Sequence, residues 1–463
     1  MNEKKPNILC IMSDEHTWNV LGCCRNPVVK TPNLDRIAKN GIVFENCYTP
    51  SPLCVPARLA FTAGQYISRC GAWQNNSELP SDDYPSLYRL LGEQGYECAL
   101  GGKMHFSHDR RYGFDVDLNP KFNSGRKNEG HVRVDINSEP YKKMENKLSP
   151  RFGEFKVSND SFILNHDRKV TQICGDYIKG RKKDDKPFFV LAGYLAPHFP
   201  IIIPEEFDTY RDLIPMPVIP ENHIESLPFH YKVMRRAFGM ENVPDEIVKK
   251  GRELYYGFVT WLDNEIGKLL SALDDSESAD NTVIVYTTDH GENMGEHGMW
   301  WKNNMYDTSV KIPCIVSFPD KYKSGTRINE VCSLIDLSNT IAEIGGAKAP
   351  VSWNGNSLMG LIEGKNDDWS NIAVSEYYGH NIAAGHCMIR RGKYKYVYFN
   401  AINDEYPAAR QLFDLEADPG EFDDLSSQNA YSALMDELHC LLVKEIGRYP
   451  EDCEAEIRKD LRG

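Results

Sequence analysis

The 463-residue chain has no apolar run long enough to cross a bilayer, no internal repeat and no low-complexity tract. What remains is a globular protein, since 41% hydrophobic and 26% charged residues are ordinary proportions for a packed core under a solvated surface. Basic charge is also scarce: 53 Lys and Arg stand against 67 Asp and Glu, a net charge of −14. That balance argues against nucleic acid or a membrane surface as the main partner, because both reward excess positive charge. Paired cysteine spacing is missing. Thirteen cysteines is an odd number, and Cys10, Cys98 and Cys314 fall inside apolar runs, which fits reduced thiols rather than a disulfide framework. After MNEKKPN, the run Ile8-Leu9-Cys10-Ile11-Met12 is too short for a signal-peptide core and ends in acids without a small-residue cleavage site. A mature, cytoplasmic protein is expected.

The length exceeds what one compact core needs, so a large domain with a smaller one is the natural division. Apolar runs predict strands over Asn7–Ser13, Ile42–Tyr48, Cys98–Gly101, Phe188–Tyr194, Thr282–Thr288 and Pro313–Phe318. Helical patterns separate them: Thr31–Asn40, with Thr31 as N-cap and Pro32 in the first turn, then Pro85–Gln94, Asp167–Lys179 and Gly251–Asp274. Strands apolar throughout and alternating with helices indicate an α/β fold, a large mostly parallel sheet flanked by helices on both faces. After about Trp369 the pattern changes to short alternating runs (Ile372–Tyr377, His386–Arg390, Tyr394–Phe399, Gln411–Asp414), as in a small antiparallel sheet. A helix over Ala430–Gly447 follows, with Leu434, Leu438, Leu441 and Leu442 on one face. The expected domains are 1–368 and 369–463.

Polar residues interrupt this pattern at strand ends. Asp14-Glu15 follow the first strand, Lys103 and His105 follow Gly101-Gly102, His198 follows Phe188–Ala196, and Asp289-His290 follow Thr282–Thr288. Ligands of open α/β sheets bind at the carboxyl ends of strands, so four distant segments are expected to meet at one edge. Asp14, Glu15, Asp289 and His290 form a hard, oxygen-rich set with one imidazole, suited to Ca²⁺, Mg²⁺ or Mn²⁺ rather than a thiolate zinc site. Lys302 lies thirteen residues after Asp289, and Lys103 and Lys302 place positive charge near these acids. His297 reads as a loop residue. His16, His108, His380 and His386 are candidates for a pocket rim, with the polar stretch from Asn119 to Asp160 as its wall. Trp73, Trp300 and Trp301 read either as core or as stacking surfaces.

One further motif is more specific. Cys54-Val55-Pro56-Ala57-Arg58 makes C-x-P-x-R and leads into a short helix stopped by Gly64. A cysteine at a helix N-terminus, with an arginine one turn on, sits in a field that favours negative charge. The stretch SPLCVPARLAFTAGQ resembles the sulfatase signature, and LGGKMHFSH resembles that family's G-K-x-H motif. The segments GAWQNNSELP, GYECALGGKMHF and RYGFDVDL resemble most its choline-sulfatase-like branch, and the resemblance runs from Pro6 to about Leu425.

The resemblance implies that Cys54 is oxidised to formylglycine by a formylglycine-generating or anaerobic sulfatase-maturating enzyme. It implies one divalent cation, Ca²⁺ before Mg²⁺ or Mn²⁺, held by Asp14, Glu15, residue 54, Asp289 and His290. Glu15 departs from the family's usual second aspartate. The hydrated aldehyde at 54, stabilised by Arg58, attacks sulfur after Asp289 takes its proton; Lys103 adds positive charge, His198 and Lys302 serve the leaving alkoxide, and His105 drives release of sulfate. The substrate is then a small alkyl, aryl or carbohydrate sulfate ester. Two alternatives stand beside this one: a phosphonate or phosphate ester hydrolase of the same superfamily, and a binding protein whose Cys54 stays unoxidised; a homo-oligomer joined through the C-terminal helix is compatible with each. A two-zinc phosphatase is disfavoured, for want of a second His/Asp set and of Ser or Thr at 54.

Overall fold

Eight consecutive buried residues, Asn7–Asp14, form the strand around which the rest is arranged. The computed structural model describes residues 4–107, 109–118, 132–319 and 322–460. In chain order the strands of the main sheet are β1 (Asn7–Asp14), β2 (Ile42–Tyr48), β3 (Glu97–Gly102), β4 (Val116–Asp117), β5 (Phe188–Pro197), β6 (Thr282–Thr288), β7 (Lys311–Ile312), β8 (Cys314–Ser317) and β9 (Thr326–Ser333). Across the sheet they run β9-β2-β8-β6-β1-β5-β3-β4, with β7 beside β2. β8 is antiparallel to β2 and β6, and β7 to β2; the remaining pairs are parallel. The sheet is therefore mixed and mostly parallel, as the alternation of strands and helices predicted.

The pleat of β1 sends successive side chains into two cores. Leu9 and Ile11 enter the one shared with the helices Phe162–Gly180 and Asp245–Asp274, while Ile8, Cys10 and Met12 enter the one shared with Cys54–Ala63. Burial on both faces explains why the strand is apolar at every inner position. Because β1, β3, β5 and β6 are parallel neighbours, their carboxyl ends share one edge of the sheet. Asp14, Lys103, His198 and Asp289 follow directly.

The helices include α1 (Pro32–Lys39), α2 (Cys54–Ala63), α3 (Phe162–Gly180), α4 (Asp245–Asp274), α5 (Ser432–Ile446) and α6 (Pro450–Asp460), with others over Leu87–Glu93, Phe229–Phe238 and Leu334–Ile344. Two begin earlier than predicted. α3 starts at Phe162 because the Ser161 side chain accepts a hydrogen bond from the Leu164 N–H, a cap outside the apolar periodicity. α4 starts at Asp245, so Gly251 is inside the helix rather than at its start. A Cβ there would lie 2.5 Å from the Trp300 ring and 2.6 Å from Phe155; glycine is a packing requirement at that point. Thr31 precedes α1 as expected, but its hydroxyl donates to the Asp35 carboxylate (3.1 Å) instead of capping the helix.

A second, four-stranded antiparallel sheet follows: β10 (Ile372–Tyr377), β11 (His386–Arg391), β12 (Tyr394–Phe399) and β13 (Ala409–Asp414). The helix α5 packs on it through Met435, Leu438, Leu442 and Ile446, so the buried stripe is rotated from the one predicted and leaves Leu434 and Leu441 half-buried. Lys395 of β12 reaches back to the main domain's Asp307 (2.5 Å) and to Glu421 (2.5 Å), a buried ionic tie. No helix of the described residues is long and apolar enough to cross a membrane.

Candidate active site

The site is built from the carboxyl edge of the main sheet and the first turn of α2. Leu53 is extended and Cys54 is the first helical residue, so the Cys54 side chain emerges among N–H groups without intrahelical partners. Its Sγ lies 3.2 Å from His290 Nε2 and 3.8 Å from Asp14 Oδ1. Asp14, Cys54, Asp289 and His290 each offer one ligand atom, all within 4.8 Å of one another. Four residues separated by up to 276 positions thus meet, all of them buried.

Arg58 lies one turn along α2, wholly buried, and turns towards the carboxylates rather than the thiol. Its Nε donates to Asp289 Oδ2 (2.8 Å), Nη2 to Asp14 Oδ2 (3.0 Å) and the Ser13 carbonyl (3.2 Å), and Nη1 to the Lys103 carbonyl (2.7 Å). Lys103 Nζ also pairs with Asp14. Burial penalises the Asp14 carboxylate, yet Lys103, His198 and Arg58 together hold it well below its ordinary range. The Cys54 thiol is pushed the other way, up to about 11, by burial and by Asp14. The field at the helix start therefore does not make a thiolate of Cys54 near neutral pH, contrary to what position alone suggested; an adjacent carboxylate and the loss of water outweigh it.

Glu15 leaves the four-residue cluster. Its backbone is left-handed (φ 63°), its N–H donates to Asp289 Oδ1 (3.2 Å), and its carboxylate accepts from Lys302 Nζ (2.7 Å) and lies 3.1 Å from His198 Nε2. Glu292, which acts on the Glu15 carboxyl, accepts from the Met294 and Trp301 N–H groups. Burial pushes the Glu15 carboxyl up to about 8, with Lys302 opposing and Glu292 reinforcing the rise. Glu292 escaped the sequence reading; its only signal was the second acid in DHGE.

Lys302 and His198 form one unit. Burial works against the Lys302 charge, but Glu15, Cys54 and Asp14 outweigh it and hold the ammonium above its ordinary range. Burial and Lys302 push His198 well below its own. An ammonium only donates, so His198 Nε2 accepts from Lys302 (2.9 Å) and the ring proton sits on Nδ1, towards the Phe199 carbonyl.

A cavity of about 350 Å³ opens over these groups. Cys54, Lys103, His105, His198 and Lys302 line it, as does His380 of the expected rim. Asn75, Arg151, Phe199 and Asn303, none singled out from sequence, line it too. Arg151 comes from the stretch expected as the wall. Residues 119–131 of that stretch, and His108, lie outside the described residues. His16 and His386 are buried away from the opening, bonded to Tyr286 and Val20 and to the Asn303 carbonyl respectively. His297 stacks on Tyr306 and bonds His223, away from the cavity. Trp300 and Trp301 are core residues, each 1% exposed. Left-handed backbone at Glu15, His105, Trp301 and Asn303 collects at this edge, and each such residue carries on the order of 1–3 kcal/mol of strain.

The glycine before Lys103 serves a close contact between strands. A Cβ on Gly102 (φ 89°) would lie 2.2 Å from the Gly193 carbonyl, and one on Gly193 would lie 2.1 Å from the Lys103 carbonyl. The two strands touch backbone to backbone, and that contact aims the Lys103 carbonyl at Arg58. Gly193→Ala is expected to cost about 1–3 kcal/mol through overpacking and to lower activity together with thermal midpoint. A melting curve and an initial rate on the same preparation check both.

The family model described as Sulfatase matches residues 6–347, and the one described as N-sulphoglucosamine sulphohydrolase, C-terminal, matches residues 295–447. A choline-sulfatase of Rhizobium meliloti (strain 1021) is 31% identical over 448 residues, covering 92% of this chain and 83% of that protein. An arylsulfatase of Clostridium perfringens (strain 13 / Type A) is 29% identical, covering 96% and 94%. The solved phosphonate monoester hydrolase of Agrobacterium radiobacter superposes with a TM-score of 0.75 at 20% identity, covering 95% of each chain, a likeness of fold.

Proposed function

The chain belongs to the sulfatase family of the alkaline phosphatase-like superfamily, and from that membership we propose that it hydrolyses a small alkyl, aryl or carbohydrate sulfate ester in the cavity over Cys54. The observation that carries this reading is the meeting of Cys54, Asp14, Asp289 and His290 beneath a wall bearing Lys103, His198 and Lys302.

Two carboxylates and an imidazole, with the oxygen that conversion of Cys54 to formylglycine would put in place of its sulfur, make a donor set that fits a hard divalent cation, Ca²⁺ first. Bound there, the cation supplies fixed positive charge against the oxygens of the reacting sulfate. Glu15 is not needed in that set. Its role in this reading is to hold Lys302 protonated and aimed at the cavity.

Cys54 oxidised to formylglycine offers, as its hydrate, two hydroxyls: one to attack sulfur and one to drive the breakdown of the ester it forms. Arg58 fixes Asp14 and Asp289 around that group, and Asp289 takes the proton of the attacking hydroxyl. Lys103 and Lys302 receive the anionic sulfate, and such preorganised charge is where most of the rate arises. Lys302 donates the proton to the leaving oxygen, and His198, whose Nε2 accepts from Lys302, positions the ammonium. This divides the pair's work more sharply than the sequence did. His105, which also lines the cavity, takes the proton from the remaining hydroxyl.

Lys302→Ala is expected to slow hydrolysis of an alkyl sulfate by about 10²–10⁴-fold, the usual worth of a general acid. A nitrophenyl sulfate, whose leaving group needs no proton, is expected to lose much less. Equal losses on both esters would remove Lys302 from the acid role.

The reading as a whole is tested by assaying matured protein side by side on nitrophenyl sulfate and a nitrophenyl phosphonate ester, with peptide mass analysis across Leu53–Arg58. Faster turnover of the phosphonate would move the protein to phosphonate monoester hydrolysis. An unmodified cysteine in active protein would end the formylglycine assignment.

A further inference from the structure

Three cations line the cavity, and two of them are matched. Lys103 pairs with Asp14 and Lys302 with Glu15. The third, Arg151, forms no ion pair with a carboxylate among the described residues, and none of the residues lining the cavity is an Asp or Glu. Its guanidinium rests instead on aromatic faces, 4.0 Å from the Phe199 ring centre, 4.9 Å from Trp301 and 5.8 Å from Phe238. Burial lowers its pKa, and Glu15, Glu154 and Glu292 oppose that fall without forming an ion pair with it. A partly desolvated guanidinium held by rings keeps its fork of donors for an oxyanion that arrives from outside.

Its position says which part of a substrate it meets. Phe199 stacks on His198 (4.5 Å) and lies 5.4 Å from Lys302 Nζ, so Arg151 stands one ring away from the pair that serves the leaving oxygen. It flanks the organic half of the ester.

We propose that Arg151 is a specificity-determining residue that reads a second anionic group, a carboxylate or a further sulfate, on the organic half of the substrate. The inference rests on the sulfate-ester reading above and narrows it to organosulfates bearing two acidic groups. A quaternary ammonium alcohol is disfavoured as leaving group on the same ground, since Arg151 would oppose its charge and no carboxylate is among the residues lining the cavity.

The test compares kcat/KM of wild type, Arg151→Gln and Arg151→Lys on four esters: 4-carboxyphenyl sulfate, 1,4-phenylene disulfate, 4-carbamoylphenyl sulfate, whose substituent is uncharged, and choline sulfate. The wild type is expected to prefer one of the doubly anionic esters, and which one tells carboxylate from sulfate. In Arg151→Gln the ratio of that ester to the carbamoyl ester is expected to fall about 10- to 100-fold, mostly in KM, as for a lost charged hydrogen bond. Arg151→Lys is expected to fall between, because it keeps the charge and loses the fork. An unchanged ratio, an equal loss on all esters, or preference for choline sulfate would overturn the proposal. If no ester turns over, the sulfatase reading fails rather than this one. Calorimetric binding of the carboxyl and carbamoyl esters to the Cys54→Ala protein, with and without Arg151→Gln, then still decides for or against Arg151.

Discussion

Replacing Cys54 by alanine is expected to abolish turnover of every sulfate ester, a loss on the order of 10⁵-fold, as when a nucleophile is removed from a machinery that acts as a unit. The site around it would remain: Asp14 and Asp289 are held by Arg58, not by the thiol, so cation binding measured by calorimetry should persist. Serine at 54 separates the two hydroxyls proposed for the mature residue. It can accept a sulfuryl group but has no second hydroxyl to expel it. Cys54→Ser is therefore expected to stall after one turnover with a sulfated peptide visible by mass spectrometry. Turnover of Cys54→Ala within about a hundredfold of wild type would defeat the assignment of position 54 as nucleophile, a step normally worth far more.

The second large effect concerns stability. Arg58 is wholly buried and bonds two buried carboxylates at 2.8 and 3.0 Å. Arg58→Met keeps much of the volume but leaves Asp14 and Asp289 short of a partner, and breaking a buried ion pair costs about 3–5 kcal/mol. The expected result is a much lower denaturation midpoint, with activity lost as well. A bound divalent cation supplies charge to the same two carboxylates, so saturating Ca²⁺ should recover part of the midpoint and a chelator should remove the recovery. A variant that melts with wild type in chelator would show that Arg58 does not offset those charges.

Much of the fold was legible because burial on both faces writes itself into β-type runs. The strands Ile42–Tyr48, Thr282–Thr288, Ile372–Tyr377 and Tyr394–Phe399 appear at the predicted residues. Boundaries failed where one side-chain bond or one close contact overrode periodicity, as with Ser161 before α3 and Gly251 inside α4. α6 was missed, since its sequence PEDCEAEIRKD is too polar to show an apolar stripe.

The site divides in the same way. Residue type at strand ends was enough to bring Asp14, Lys103, His198 and Asp289 together, because parallel strands deliver their carboxyl ends to one edge whatever the details of packing. Chain order alone thus determined the composition of the site: two buried acids, an imidazole, a cysteine at a helix start and cations around them. Tertiary structure decided the pairings. It turned Arg58 onto the carboxylates, withdrew Glu15 to Lys302, raised the Cys54 thiol out of its reactive range, and left Arg151 facing the cavity without an acid. Those outcomes depend on distances of a few ångströms across a dry interior, where Coulomb energies are large and change steeply with position, and a linear pattern carries no such distances.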